Sequence, residues 1–373
     1  MPAPAFKAAH SASEHWAHAA KMCADALTPP LRGANLGFVY ATDSFADDFG
    51  SILAYLRQKT GIEHWVGSIG IGICADDSEF FDRPALATMV AAFPEDSFRV
   101  FPAISKSVDE LSAETRAWMA RAPSVCGLVH VDPSNAESPR LVGMLADAGA
   151  GFLVGGITSS RGALYQIAGR VTGGGVSGVL FGPDVAVATG KSQGCAPAGP
   201  FRTITDAVEN VIVALDGHKP MEALKKDIGV DTAQGLGALA GEVHAAFPVE
   251  GSDTGDYIVR TLVGADPARG WLAVGGPVTA GGRMMFVRRD AKSAEADLVR
   301  MAQGLKRRLG GPPRGGLYIS CVARGPAMFG EEGREIGLIR EHLGDFPLIG
   351  FYAGGEISNS RLYGYTGVLV LFL

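Results

Sequence analysis

One order of elements occurs three times along this chain, and it restricts the fold more than composition does. An apolar run, a helical pattern and a second apolar run follow one another in each case. The first copy reads 36-LGFVYA-41, 51-SILAYLRQKTG-61 and 65-WVGSIGIGI-73, with Gly61 placed to stop the helix. In the second, 127-GLVHVD-132 and 152-FLVGGIT-158 enclose 139-PRLVGMLADAG-149, whose Pro139 suits a first helical turn. The third runs from 316-GLYISCVA-323 through 331-EEGREIGLIREHLG-344 to 348-LIGFYAGG-355. The pairs Val66-Gly67, Val154-Gly155 and Ile349-Gly350 fall at comparable places, and setting Phe38 on Tyr318 also sets Phe49-Gly50 on Phe329-Gly330. Internal repetition of this length predicts a supersecondary unit used more than once.

The runs 164-LYQIAG-169, 176-VSGVLFG-182 and 365-YTGVLVLFL-373 follow connections too short for a parallel crossover. They are therefore expected as antiparallel hairpin neighbours. The fold class expected is α/β, with mixed parallel/antiparallel sheets built from repeated strand-helix-strand-strand units in two modules. Ahead of the repeats, residues 13–27 carry Trp16, Ala20, Cys23 and Leu27 on one helical face, with Ser11 or Ser13 as cap. The stretch 203-TITDAVENVIVALDG-217 reads as helical, and 257-YIVRTLVG-264, 271-WLAVGG-276 and 284-MMFVRR-289 read as strands. The Gly- and Ala-rich 229-GVDTAQGLGALAG-241 marks a boundary, giving a lead-in over 1–32, one module over 33–228 and another over 229–373.

Composition narrows the function classes. At 373 residues the chain exceeds one ordinary domain of about 150 residues. A net charge of -6 with no long basic run argues against nucleic acid, whose backbone needs a clustered positive face. The five cysteines, Cys23, Cys74, Cys126, Cys195 and Cys321, include no C-x-x-C pair, so neither a disulfide framework nor a zinc site is expected. The N-terminus has no charged segment followed by an apolar one, and no stretch holds about 18 uninterrupted apolar residues. A cytoplasmic protein without membrane insertion is the expectation.

Several motifs tempt and fail. The string 189-TGKS-192 ends like a phosphate-binding loop, but Val185 stands at the first-glycine position and QGCAPAGP follows in place of a helix. The glycines of 67-GSIGIG-72 are spaced G-x-x-G-x-G and lead into acidic CADDSEFFD, which suits no dinucleotide phosphate. His15 and His18 share a helical face without a third ligand nearby. No G-x-S-x-G elbow occurs, and Cys321 has no local histidine to activate it. No cofactor and no metal are expected.

Longer strings carry a resemblance. The run 192-SQGCAPAGPFRTITDAVENVIVALDGHKPMEAL-224 resembles the end of the N-terminal module of the FIST family, the F-box and intracellular signal transduction proteins. The segments 257-YIVRTLVGADPARGWLAVGGPVTAGGRMMFVRRDA-291, 321-CVARGPAMFG-330, 350-GFYAGGEIS-358 and 363-YGYTGVLVLFL-373 look like its C-terminal module. Ala323 departs from the glycine that the family often shows before the Arg-Gly pair. The resemblance implies a sensory module that binds a small ligand, with amino acids as the proposed class, and signals to other domains. With nothing beyond the two modules in the sequence, the output partner is expected to be a separate protein.

The candidate site follows from the third copy. Strands that end in glycine-rich loops make concave edges where backbone amides face a ligand. Glu356 is the sixth residue after Gly350, and the corresponding counts reach Ile73 in the first copy and Arg161 in the second. A carboxylate at a buried strand end needs a cationic partner, and Arg324 is the nearest candidate. Either Arg324 grips a ligand carboxylate and Glu356 a ligand ammonium, with Gly325, Tyr352, Gly354, Gly355 and Tyr363 around them, or the two side chains bind each other, or loop backbone, and hold the last hairpin in place. Ser159, Ser160 and Arg161 form a second candidate cluster. The expectation is a binding protein. An enzyme using Cys321 or the Arg324/Glu356 pair is the alternative, and a scaffold that binds no ligand is a third reading.

Overall fold

The three repeats fold as three copies of one unit in the computed structural model, which describes residues 5–29, 31–121, 124–229, 241–249 and 256–373. The first copy comprises β1 (Ala5–Ala12), α1 (Trp16–Leu27), β2 (Leu36–Thr42), α2 (Phe49–Thr60), β3 (His64–Gly70), β4 (Gly72–Ala75), β5 (Ser78–Phe81) and β6 (Ala85–Ala92). The second comprises β7 (Phe98–Ile104), α3 (Ala113–Arg121), β8 (Cys126–Val131), α4 (Ser138–Leu145), β9 (Phe152–Ile157), β10 (Gln166–Ala168), β11 (Val171–Thr172) and β12 (Val176–Phe181).

The third copy opens with β13 (Val187–Gln193) and is then interrupted. Residues Gln193–Ala296 form a compact unit of their own, distinct from the unit made by Met1–Ser192 and Asp297–Leu373. That second unit holds β14 (Cys195–Pro197), β15 (Arg202–Val208), β16 (Val211–Leu215), α5 (Pro220–Ile228), β17 (Val243–Pro248), β18 (Tyr257–Asp266), β19 (Trp271–Val274) and β20 (Arg283–Arg289). The third copy resumes with α6 (Ala291–Arg308), β21 (Gly315–Cys321), α7 (Pro326–Phe329), α8 (Arg334–Leu343), β22 (Leu348–Ala353), β23 (Glu356–Ser358), β24 (Arg361–Tyr363) and β25 (Thr366–Phe372).

The first unit contains three six-stranded sheets of one design: β1-β6-β2-β3-β10-β11, β7-β12-β8-β9-β23-β24 and β13-β25-β21-β22-β4-β5. Each has a parallel pair at its centre: β2/β3, β8/β9 or β21/β22. Each is completed by a hairpin from another copy, so the copies exchange hairpins in a closed cycle. The glycine of each apolar–Gly pair occupies the same register position, with Gly67 opposite Val39, Gly155 opposite Val129 and Gly350 opposite Tyr318. A Cβ at any of the three would fall inside the facing carbonyl oxygen, so only glycine lets these strands approach.

Register also corrects the sequence alignment. Tyr318 is the counterpart of Val39, not of Phe38, and the two Phe-Gly dipeptides are not equivalent: Phe49-Gly50 opens α2, whereas Phe329-Gly330 ends α7. The run 65–73 is two strands in different sheets, broken at Ile71. The runs at 176–182 and 365–373 are antiparallel as expected, but they pair with the first strand of the central parallel pair of their own copy, β8 or β21. The run at 164–169 pairs with β3 of the first copy.

The second unit is a separate antiparallel construction. Its strands run β20-β15-β16-β19-β18-β17, β17 pairs back onto β20 to close the sheet, and β14 adds to β20. Met221 and Leu224 of α5 join Ile204, Ile212, Leu272, Met284 and Phe286 in its core. The helix expected over 203–217 is instead the hairpin of β15 and β16. Its β-branched residues favour strands, and Glu209, at φ 54°, begins the tight turn between them. The boundary expected over 229–241 lies outside the described residues except at its two ends. No helix among the described residues is long and apolar enough to cross a membrane.

Candidate functional site

The strand β21 delivers Arg324 to the loop that follows it, where the side chain is fully buried. Its partner is not Glu356 but Glu335, on the first turn of α8: Arg324 Nε donates to Glu335 Oε1 at 2.7 Å. Glu335 also accepts from the hydroxyls of Tyr318 at 2.7 Å and Ser320 at 2.9 Å, and from the Gly325 amide at 3.0 Å. Tyr352 Oη donates to its other oxygen at 3.5 Å. All these partners are donors, so the carboxylate is saturated and supplies the counter-charge to the guanidinium. Burial alone would lower the Arg324 pKa, but the charge and hydrogen bond of Glu335 more than offset it and the net shift is upward. The sequence held a signal for Glu335, an acid that falls in line with Ile339 and Leu343 on the buried face of its helix.

Glu356 begins β23 and is likewise fully buried. Its Oε2 accepts from the Thr366 amide at 3.0 Å and hydroxyl at 2.7 Å, while its Oε1 has no hydrogen-bond partner among the described residues. Burial pushes its pKa to about 8, against the downward pull of the Thr366 hydrogen bonds, of Arg324 and of the Cys321 thiol, which donates to the carboxyl. At neutral pH the group is mostly a neutral acid.

Arg324 and Glu356 still belong to one site, because they flank one dipeptide. Arg324 Nη1 lies 3.5 Å from the carbonyl oxygen of Tyr365, and Glu356 holds the next residue, Thr366. Tyr365 has φ 61°, a left-handed conformation unusual for a bulky residue. Arg324 Nη2 lies 3.5 Å from Ser192 Oγ of β13. Tyr363 pairs with Glu356 across β24, and the Lys191 ammonium stands 3.7 Å from the centre of its ring. Gly354 is exposed and Tyr365 half-buried, so the buried floor lies close to the surface. Ser192, Lys191, Tyr365 and Thr366 are site residues that the sequence reading missed, because nothing local links them to Arg324.

The second cluster is brought alongside. Ser159 is buried, accepts from the Ile71 amide at 3.0 Å and donates to the carbonyl of Tyr352. Gly354 and Gly355 bond through their backbones to Ile157 at the end of β9. Ser160 binds only its own loop in the bonds seen, through the Gly162 amide. Arg161 turns to the surface, where it grips Asp43 at 2.7 and 2.9 Å and Asp82 at 2.7 Å.

Arg161 is not the counterpart of Glu356. Glu356 lies opposite Gly156, just as Gln166 lies opposite Ser68 and Ile73 opposite Phe351. The equivalent positions are therefore Ile73, Gln166 and Glu356. The count failed in the second copy because its loop between β9 and β10 is longer.

Two other features bear on chemistry. Cys321 is buried, its pKa is raised chiefly by burial and further by Glu356, and it is a protonated thiol. A groove of about 550 Å³ elsewhere on the first unit is lined by residues that include His64, Phe98, Arg99 and Glu114 and shares none with the site. Arg99 there is already committed to Asp96 and to the Phe98 carbonyl.

The FIST N domain matches residues 35–218 and the FIST C domain residues 220–359. An uncharacterized protein of Mycobacterium tuberculosis is 31% identical over 97% of this chain and 96% of that protein. An uncharacterized protein of Mycobacterium bovis is 34% identical over 49% of each chain. Among solved structures, a cyanuric acid hydrolase from A. caulinodans aligns over 99% of both chains at 11% identity, but its TM-score of 0.34 carries no argument. With both domains matched in order and a relative aligned end to end, this chain belongs to the FIST family.

Proposed function

We propose that this protein is a cytoplasmic sensor that binds a small, amino-acid-like ligand at the Arg324–Glu356 site and passes the signal to a separate output protein. FIST domains are associated with signal transduction and ligand sensing, which supports the general class. The observation that carries the site is the unfinished hydrogen bonding of Glu356. A fully buried carboxyl has one oxygen without a partner, and two guanidinium nitrogens reach their neighbours only at 3.5 Å. Buried polar groups are satisfied almost everywhere in folded proteins, so an unpartnered carboxyl oxygen beside long guanidinium contacts and a strained residue is a place prepared for another molecule.

The site binds rather than reacts. The Cys321 thiol is protonated and buried, and the Arg324 charge is neutralised by Glu335, which leaves no activated nucleophile among these side chains. Five free cysteines suit a reducing compartment. A thermal-shift screen of amino acids and related metabolites tests the reading: a ligand at about 100 times its Kd adds about 2.7 kcal/mol of stability. Silence across the charged and polar metabolites would sink it.

A further inference from the structure

The buried cluster holds one guanidinium, Arg324, which Glu335 already neutralises at 2.7 Å. Among the described residues, no cation is hydrogen-bonded to Glu356. The groups that face it are few. Tyr365 stands before β25 and Thr366 begins it, Cys321 and Arg324 stand at and after the end of β21, and Tyr363 of β24 pairs with Glu356 and carries the Lys191 ammonium over its ring. The β9 residues beside it are Gly155 and Gly156, which carry no charge. In these surroundings the carboxyl is a neutral acid at neutral pH, consistent with a value of about 8. Its free oxygen, Oε1, is the position open to a donor.

An ammonium brought to that oxygen supplies the missing counter-charge, and an opposite charge at about 4 Å favours ionisation of a carboxyl. Resting on the sensor reading above, we propose that an amine-bearing ligand binds Glu356 only as the carboxyl gives its proton to solvent, so that recognition is coupled to the release of one proton. The balance is simple: the acid and a ligand ammonium become a carboxylate–ammonium pair plus one solvated proton. A carboxylate on the same ligand takes the Arg324 Nη1 and Nη2 positions, whose present contacts to Tyr365 and Ser192 are long at 3.5 Å. The equivalent residues Ile73 and Gln166 have no proton to release, so this coupling belongs to the third copy alone.

The experiment screens the common L-amino acids by thermal shift at about pH 6.5 and about pH 8.5, beside propionate, succinate and glutarate as carboxylates without the amine. Isothermal titration of the strongest amino acid follows, in two buffers of different ionisation enthalpy. The expected result is about one proton released per ligand and an affinity that rises nearly tenfold per pH unit up to about pH 8. The amine-free acids are expected to bind without that dependence. Proton release is read on the natural protein, and in Glu356→Gln it is expected to vanish. Binding that is equally tight at both pH values, with no proton released, overturns the coupling and leaves the sensor reading standing. Binding of no compound at either pH overturns both.

Discussion

The second and third copies of the repeat close their sheets at the same register position with different chemistry. Gln166, on the inner strand of the hairpin added to the first sheet, bonds to Ser177 and Thr158. Glu356, on the inner strand of the hairpin added to the second, bonds to Thr366 and leaves an oxygen free. Ile73, on the inner strand of the hairpin added to the third, lies in the apolar core. The architecture accepts an alkyl group, an amide or an acid here, so the acid is not a requirement of the fold. What the fold does require is identical in all three copies: a glycine opposite a carbonyl, at Gly67, Gly155 and Gly350. The contrast separates residues that build the unit from residues added to one copy of it.

The largest effect tests the shared element. In Gly350→Ala the new Cβ meets the Tyr318 carbonyl at the centre of the sheet, where backbone cannot yield. A loss of more than about 3 kcal/mol is expected, with little folded protein recovered. A mild effect in urea denaturation would show that the three glycines do not set the strand spacing.

Next comes the pair that only the third copy has. Glu335→Gln leaves Arg324 buried without a counter-charge, and a loss of about 3–5 kcal/mol is expected. Replacing both partners together, as Arg324→Met with Glu335→Leu, is expected to cost less than the single change, because no charge is then stranded. Equal losses in the two variants would mean that the hydrogen bonds to Tyr318 and Ser320, rather than charge, dominate the cluster.

The acid itself is tested by pH. The Glu356 value is raised from 4.5 to about 8, so between these limits the folded state holds a proton that the unfolded chain has lost. Its contribution is fully present below about pH 4.5, falls as pH rises and is gone above about pH 8, a change of the order of 5 kcal/mol. Glu356→Gln, which installs the side chain of the sister position, is expected to remove that slope. The test is Tm against pH for both proteins, and parallel curves would show that Glu356 does not titrate in this range.

The repeats were legible because their causes are local. Alternating apolar runs, the helix stop at Gly61 and the proline at Pro139 declare each strand-helix-strand element within a few residues. The exchange of hairpins was not, because nothing near Gln166 says that, besides Thr172 of its own hairpin, it pairs with Ser68 of another copy. The same limit hid the inserted unit, whose ends at Gln193 and Ala296 fall inside a strand and a helix. At the site, an unpaired acid near a strand end pointed to Glu356 and to a cation at Arg324. The intervening Glu335 was missed because an acid on a helix reads as a solvated residue until its place on the buried stripe is counted.

The smallest effect completes the comparison between glycines that build and glycines that do not. Gly337 lies inside α8, two residues beyond Glu335, and a Cβ there meets nothing within 4 Å. It needs neither close approach nor positive φ, so it only carries the entropy cost of glycine in a helix. Gly337→Ala is expected to raise stability by about 0.5–1 kcal/mol and to leave the pH profile of the site unchanged. If it lowers stability instead, or shifts the pH dependence set by Glu356, then α8 must flex for the Glu335–Arg324 cluster to hold. The glycine would then belong to the site and not to the scaffold.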